Sequence, residues 1–207
     1  MNAYKAFAVA SVALLIIVAV ASFFVYPTNA REEYGYISQG QLSALAVTGA
    51  NVSVNGAGNS IYVSGPATIL VETGPMKANV SMYSFEISGM INPEIVVKQG
   101  TILKFIVVNV DSDASHNFVI SSASPPYTYM SGSGMMGGGN TGMYGSSMML
   151  SPASNGNLNY YNMTSTFNSA GILWYLCTYT GHAQNGMYGK ISVIPQFIFL
   201  LISNSKF

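Results

Sequence analysis

Three residues of metal-binding type stand at equal spacing near the C-terminal end of the chain. Cys177 is the only cysteine among 207 residues, His182 is one of only two histidines, and Met187 follows, with four residues between each member and the next. Thiolate and thioether sulfur favour Cu(I), whereas imidazole accommodates Cu(II). A site that combines these donors would hold copper in a compromise geometry, so little would have to move when an electron arrives.

The only other histidine, His116, is the source of a fourth donor. It stands in "DASHNFVI", 61 residues before the cysteine, at the mouth of a predicted strand. Gly181 and Gly186 precede the second histidine and the methionine, and they permit the sharp turns that would bring those side chains toward one point. The predicted copper ligands are His116, Cys177, His182 and, in the axial position, Met187.

Each of these residues has an ordinary structural interpretation when it is taken singly. A lone cysteine is usually a small buried apolar side chain, and a lone histidine is usually structural. Zinc would use three of the ligands but would leave the methionine without a role. Covalent haem attachment requires C-x-x-C-H, which this sequence lacks. The joint pattern therefore favours copper.

The composition excludes several classes of function. Charged residues make up 7% of the chain, whereas a typical soluble domain carries about 25%. Seven lysines and arginines balance seven acidic residues, so we expect no nucleic-acid partner. Half of the residues are hydrophobic, which is sufficient for one domain of ordinary size with appendages. A single cysteine cannot form an internal disulfide.

The first thirty residues predict a membrane anchor. Residues 6–26, "AFAVASVALLIIVAVASFFVY", are apolar apart from two serines, and Pro27 ends the run. About 20 such residues cross the hydrocarbon core of a bilayer as a helix. We predict that residues 1–30 form a transmembrane helix with the bulk of the chain on the extracytoplasmic side. A signal peptide cleaved near Ala30 is the alternative, although the run exceeds the roughly 7–15 apolar residues of a usual signal.

Residues 51–195 have the texture of one all-β domain. Runs such as "SIYVSG", "ATILVET", "TILKFIVVNV" and "GILWYLCTY" are rich in Val, Ile, Phe and Tyr, and glycine, proline, asparagine and serine separate them. Short strands with turn residues between them predict an antiparallel β-sandwich or barrel. We expect a linker or a short helix over residues 31–50 and a C-terminal tail over residues 196–207.

Residues 130–150 interrupt the strand pattern. The segment "MSGSGMMGGGNTGMYGSSMML" holds six of the twelve methionines and many glycines, which offer little side chain to pack. We predict a long loop between strands. Its thioethers suit transient binding of Cu(I) or docking of a partner, and a flexible surface insertion is the simpler interpretation.

Several stretches resemble the blue copper proteins, or cupredoxins, and among them the rusticyanin and sulfocyanin group. These are "SFEISGMINPEIVVKQGT", the "HNF" at His116, "PPYTYM" and "LCTYTGHAQNGMYGKISV", which occur in the order found in that group. The resemblance covers residues 83–194 well and extends weakly back to about residue 50. A membrane anchor on such a domain is more similar to sulfocyanin.

The resemblance implies a fold, a cofactor and a function. The fold is a Greek-key β-sandwich of seven or eight strands with one type 1 copper ion at one end. The function is one-electron transfer in the respiratory chain of an acidophile, with a cytochrome or a terminal oxidase complex as redox partner. His182 would lie nearest the surface, in an apolar docking patch that includes Pro125, Pro126, Tyr127, Ala183, Met187 and Tyr188.

One departure from the resemblance concerns the reduction potential. Asn117 follows the first histidine, where rusticyanin has serine. Hydrogen bonds around the thiolate tune the potential of the metal, so we predict a lower potential than that of rusticyanin.

Two other functions are weighed against electron transfer. Copper storage or delivery is the alternative that the methionine-rich segment suggests. A copper enzyme is not expected, because an open substrate site needs further histidine ligands, and both histidines are already committed.

Overall fold

The computed structural model describes residues 33–45, 50–127, 143–144 and 148–199. The predicted membrane segment at residues 1–30 and most of the methionine-rich loop lie outside these residues. Within the described ranges, none of the helices combines the length and the apolar character needed to span a bilayer.

Strands account for most of the regular structure in the described part of the chain. Two short helices lie entirely within this part of the chain, α1 (Gln39–Leu42) and a 3₁₀ helix (Ala183–Asn185). Residues 196–199 are also helical. The strands are β1 (Glu33–Ser38), β2 (Val52–Asn55), β3 (Ser60–Val63), β4 (Ala67–Thr73), β5 (Phe85–Ile87), β6 (Met90–Ile91), β7 (Glu94–Lys98), β8 (Thr101–Asn109), β9 (Val119–Ser121), β10 (Met143–Tyr144), β11 (Asn157–Phe167), β12 (Gly171–Leu176) and β13 (Tyr188–Ile194).

The strands form two sheets, which confirms the predicted all-β sandwich. One sheet has the order β1-β11-β8-β4-β5-β6, and the other has the order β10-β9-β12-β13-β7-β3-β2. The expected antiparallel pairing holds for most neighbouring strands, but β4 pairs with β8, β3 with β7, and β7 with β13 in parallel. Consecutive strands such as β3 and β4 lie in opposite sheets. When the chain returns to the first of these sheets, its new strand can run parallel to the strand that it pairs with, as β7 does with β3.

The number of strands also differs from the seven or eight that the resemblance implies. Thirteen strands are present in the described ranges, and several of them are short edge pieces. The strands β6 and β10 contain two residues each. Composition does not reveal such short pieces, because two residues carry no periodicity.

The segment predicted as a linker, residues 31–50, is part of the fold where the structure describes it. The strand β1 pairs along its whole length with β11 and forms the edge of the first sheet. The side chain of Ser38 caps the short helix α1, and Gln41 bonds back to the Ser38 backbone. Leu42 is buried against Val108 and Leu158. Residues 33–42 therefore form a strand that the sequence did not predict and the short helix that was one of its two expectations, and Leu42 anchors them to a small second core.

The main core lies between the two sheets and extends to the predicted metal ligands. Its centre is a group of aromatic rings around Phe118, which contacts Phe85, Phe105 and Tyr175 at centroid distances of 5.1–5.4 Å. Cys177 and Met187 belong to the same buried cluster. Aromatic packing of this kind adds about 0.5–1.5 kcal/mol per pair beyond the burial of area, so the sulfur side chains rest on a rigid apolar floor.

We expect Tyr161→Phe to lower the free energy of unfolding by about 1–3 kcal/mol, the cost of leaving buried polar groups unpaired. The Tyr161 hydroxyl donates to the carbonyl of Phe118 and accepts from its N–H, both at 2.9 Å, and Tyr161 is fully buried. Denaturant unfolding would measure the change. Tyr36→Phe is the control, because that ring is 65% exposed and its substitution should cost less than about 0.5 kcal/mol. Equal losses in the two variants would contradict the expectation.

Candidate metal centre

Backbone hydrogen bonds close the loop that carries three of the four predicted ligands. Cys177 directly follows β12, and its N–H donates to the carbonyl of Met187 at 3.1 Å. The N–H of Met187 donates to the carbonyl of His182 at 3.0 Å. Gly181 and Gly186 have φ angles of 83° and 101°, which favour glycine. The glycine spacing in the sequence therefore predicted these turns correctly.

His116 reaches the loop from a separate segment, and side-chain hydrogen bonds hold the two together. The N–H and carbonyl of His116 both bond to Leu150, at 3.1 and 2.8 Å. The next residue, Asn117, donates from Nδ2 to the hydroxyl of Thr178 and accepts from the Thr178 N–H, both at 2.8 Å. Because Thr178 follows Cys177, this amide places the histidine beside the cysteine.

The donor atoms of His116, Cys177 and His182 lie within 4.8 Å of one another. Sγ of Cys177 is 3.5 Å from Nδ1 of His182 and 3.9 Å from Nδ1 of His116, and the two Nδ1 atoms are 3.1 Å apart. Donors that each lie about 2.0–2.3 Å from a shared ion have mutual separations of this size. The fit to a single metal ion is therefore good.

The fourth predicted ligand, Met187, lies in the same buried cluster as Cys177. Its side chain is fully buried, and its backbone pairs with that of Cys177. A thiolate, two imidazoles and a nearby thioether form the donor set of a type 1 copper site. The arrangement of these four residues fits one type 1 copper ion.

The exposure of the four residues identifies the side from which the site meets solvent. His182 is 4% exposed, whereas His116, Cys177 and Met187 are at 0%. The rings of Tyr83 and Tyr179 flank His182, with centroid distances of 5.1 and 4.6 Å. His182 is therefore the predicted ligand nearest the surface.

The surface patch implied by the resemblance needs correction. Ala183 and Met187 are buried, so they do not contribute to a surface. Pro126 is exposed, and Pro125, Tyr127 and Tyr188 are half-buried. Sequence reasoning missed Tyr83 and Tyr179, which flank the histidine directly. Tyr179 stands only three residues before His182, so the sequence could have indicated this contact.

Burial keeps the predicted ligands in their neutral forms when no metal is bound. It raises the pKa of the Cys177 thiol to about 11, although backbone N–H groups of Asn117 and Tyr179 oppose the shift. Burial also lowers the pKa of His116, although its hydrogen bond to the Asp111 carboxylate opposes the shift. Burial and the neighbouring His116 lower the pKa of His182 to about 4. A metal ion would therefore displace a proton from the thiol and meet imidazoles that are already unprotonated.

Sequence reasoning also missed a residue beneath His116. The Asp111 carboxylate oxygen Oδ2 lies 2.9 Å from Nε2 of His116, and the Asp111 side chain is 1% exposed. An acidic residue five positions before a predicted ligand was the only signal in the sequence. The contact places a buried carboxylate next to the predicted metal ligands.

Comparison of sequences finds relatives among the rusticyanins. The chain is 26% identical over 194 residues to rusticyanin from Acidithiobacillus ferridurans, which covers 81% of this chain and 99% of that protein. It is 29% identical over 137 residues to a rusticyanin from Acidithiobacillus ferrooxidans, covering 66% of this chain and 68% of the relative. No family model matches the chain.

Comparison of structures gives the same group. A structure of reduced rusticyanin matches with a TM-score of 0.66 and 22% identity, covering 78% of this chain and all of the other. A structure of rusticyanin from Thiobacillus ferrooxidans matches with a TM-score of 0.65 and 23% identity, over 78% and 97% of the two chains. The predicted likeness to blue copper proteins of the rusticyanin type is confirmed, and the chain has their cupredoxin fold.

We expect the folded protein to release fewer than two protons for each copper ion bound at pH 6, because Cys177 supplies one proton and the lowered pKa values of His116 and His182 leave the two imidazoles less than one proton between them. Histidines with their usual pKa of about 6.5 would be largely protonated at this pH and would bring the total to between two and three. Calorimetric titration in two buffers with different enthalpies of ionisation measures the number. A release of two or more protons would contradict the lowered pKa values of the histidines.

Proposed function

Because the chain has the cupredoxin fold and resembles the rusticyanins, we propose that it is a type 1 copper protein that carries single electrons between redox proteins. The proposed ligands are His116, Cys177 and His182, with Met187 in the axial position. The observation that best supports this function is that the donor atoms of His116, Cys177 and His182 lie within 4.8 Å of one another. They come from two segments that are 61 residues apart in the chain. Copper bound there would supply one-electron redox chemistry.

The burial of the site supports transfer of electrons rather than conversion of a substrate. Three of the proposed ligands have no exposed surface, and His182 is 4% exposed. An enzyme needs an open coordination position that a substrate can reach. Both histidines of the chain are already used. The alternative of copper storage or delivery is also less favoured, because buried donors are poorly placed to hand an ion to a partner.

The position of His182 supports a route for the electron. Its ring is the one closest to solvent, and Tyr83 and Tyr179 surround it. Tyr179 is 43% exposed. A redox partner that docks over these rings would come closest to the metal at His182, since no other proposed ligand reaches the surface. A cytochrome or a terminal oxidase complex is the class of partner that we propose.

We further propose that the protein is anchored on the outer face of the cytoplasmic membrane, in the respiratory chain of an acidophile. The apolar run at residues 6–26 supports the anchor. The seven acidic residues support an acid exterior, because few carboxylates can lose stabilising contacts when they are protonated. Secretion after cleavage near Ala30 is the alternative location.

Copper-loaded protein should show an intense thiolate-to-Cu(II) charge-transfer band in the visible spectrum. Cys177→Ser should abolish the band, because the thiolate is one half of the transition. Met187→Leu should keep the band and raise the reduction potential, because an apolar side chain in place of the axial donor makes the surroundings of the metal less polar and disfavours the more highly charged Cu(II). Absorption spectra and voltammetry measure both effects. A colourless wild-type protein with bound copper would refute the proposed function.

The proposed location has a separate test. The full-length chain expressed in cells should sediment with membranes and be digested by protease added to intact cells. A chain that lacks residues 1–30 should be soluble and keep its visible band. The band should also persist at pH 3. Recovery of full-length chain from the cytosol, or bleaching in acid, would contradict the location or the acid exterior, respectively.

A further inference from the structure

We propose that Asp111 is a positioning residue for the copper site, a buried carboxylate that fixes His116 for metal binding and lowers the reduction potential. The inference rests on the proposed function and adds to it a determinant of the potential. It starts from the contact of 2.9 Å between Oδ2 of Asp111 and Nε2 of His116.

Hydrogen bonds to neighbouring residues in the chain hold Asp111 in place. Its oxygen Oδ1 accepts from the N–H of Asp113 at 2.7 Å and from the N–H of Ala114 at 3.2 Å. Its own N–H donates to Oδ1 of Asn109 at 3.1 Å. Oδ1 therefore accepts two backbone hydrogen bonds, as an ionised carboxylate oxygen can, and Oδ2 is left to face the ring of His116. The backbone of this turn therefore sets the orientation of the Asp111 carboxylate toward His116.

This orientation assigns the tautomer of His116. Since Oδ2 of Asp111 is an acceptor, Nε2 of the imidazole carries the hydrogen, and the lone pair is left on Nδ1. Nδ1 is the atom that faces Sγ of Cys177 and Nδ1 of His182. The carboxylate therefore presents the metal-binding nitrogen before any metal arrives. A partner of this kind also raises the basicity of a histidine ligand.

The backbone of Gly74 packs directly against the contact between Asp111 and His116. A Cβ at this position would lie 2.6 Å from Nε2 of His116 and 2.8 Å from Oδ2 of Asp111, which is too close for any side chain. Gly74 has a φ of 63°, and its N–H is bonded to Ser84. The close approach keeps other groups away from the contact. Buried electrostatic interactions are screened little when water is excluded.

The charge of Asp111 favours the oxidised metal. A Cu(II) ion with one thiolate carries one net positive charge, and Cu(I) with the same thiolate carries none. Adding the carboxylate makes the oxidised site neutral and the reduced site negative. Net charge is costly to bury, so the carboxylate stabilises Cu(II) relative to Cu(I). Among the described residues, no lysine or arginine forms an ion pair with Asp111 that would cancel this effect.

The test compares Asp111→Asn with Asp113→Asn in copper-loaded protein. The first change removes the buried charge while keeping the size of the side chain and one acceptor oxygen. The second removes a charge of the same sign from an exposed side chain two residues away, where solvent screens it. We expect Asp111→Asn to raise the affinity for Cu(I) relative to Cu(II) at least tenfold. This corresponds to a reduction potential about 59 mV higher for a one-electron couple. Asp113→Asn should leave the potential nearly unchanged.

A second measurement uses copper-free wild-type protein, so it stands even where Asp111→Asn does not fold or bind copper. Nitrogen NMR of His116 should show the hydrogen on Nε2. A hydrogen on Nδ1, or a potential in Asp111→Asn that moves no more than in Asp113→Asn, would overturn the inference. A blue protein with an unchanged potential refutes only this inference, whereas a colourless copper-loaded wild type refutes the proposed function.

Discussion

The side chain of Asn117 makes the contact on which the site depends. Its amide bonds twice to Thr178, so a histidine from one segment and a cysteine from another are held side by side. A two-point hydrogen-bonded contact fixes both distance and orientation, whereas apolar packing alone tolerates small shifts. The identity of this residue matters for the same reason, because the amide carries both the donor and the acceptor that the contact needs.

The second constraint is the apolar floor under the donors. The rings of Phe85, Phe118 and Tyr175 pack against one another below the two sulfur side chains. They keep water away from the sulfur donors, and burial together with the neighbouring His116 lowers the pKa of His182 to about 4. A copper ion that enters such a site would meet prepared ligands, and its surroundings would reorganise little between two oxidation states.

One charged side chain lies directly against the proposed ligands. The chain carries few charged residues overall, yet Asp111 is buried directly behind His116. A buried carboxylate is costly unless it is fully hydrogen-bonded, and the turn at residues 111–114 provides two N–H donors for it. The turn therefore offsets the cost of burying this carboxylate beside the proposed ligands, where the positioning role proposed above would use its charge.

The sequence by itself determined the class of fold and which residues are proposed as the donors. Cys177, His182 and Met187 lie on one loop, and glycine spacing and strand composition are local signals that need no partner. Only the tertiary structure decided which strands pair in parallel, that residues 33–38 belong to a sheet, and that Asp111, Tyr83 and Gly74 surround the histidines. These features depend on contacts between segments that are remote in the chain. No local pattern of residue types records which remote segments will meet.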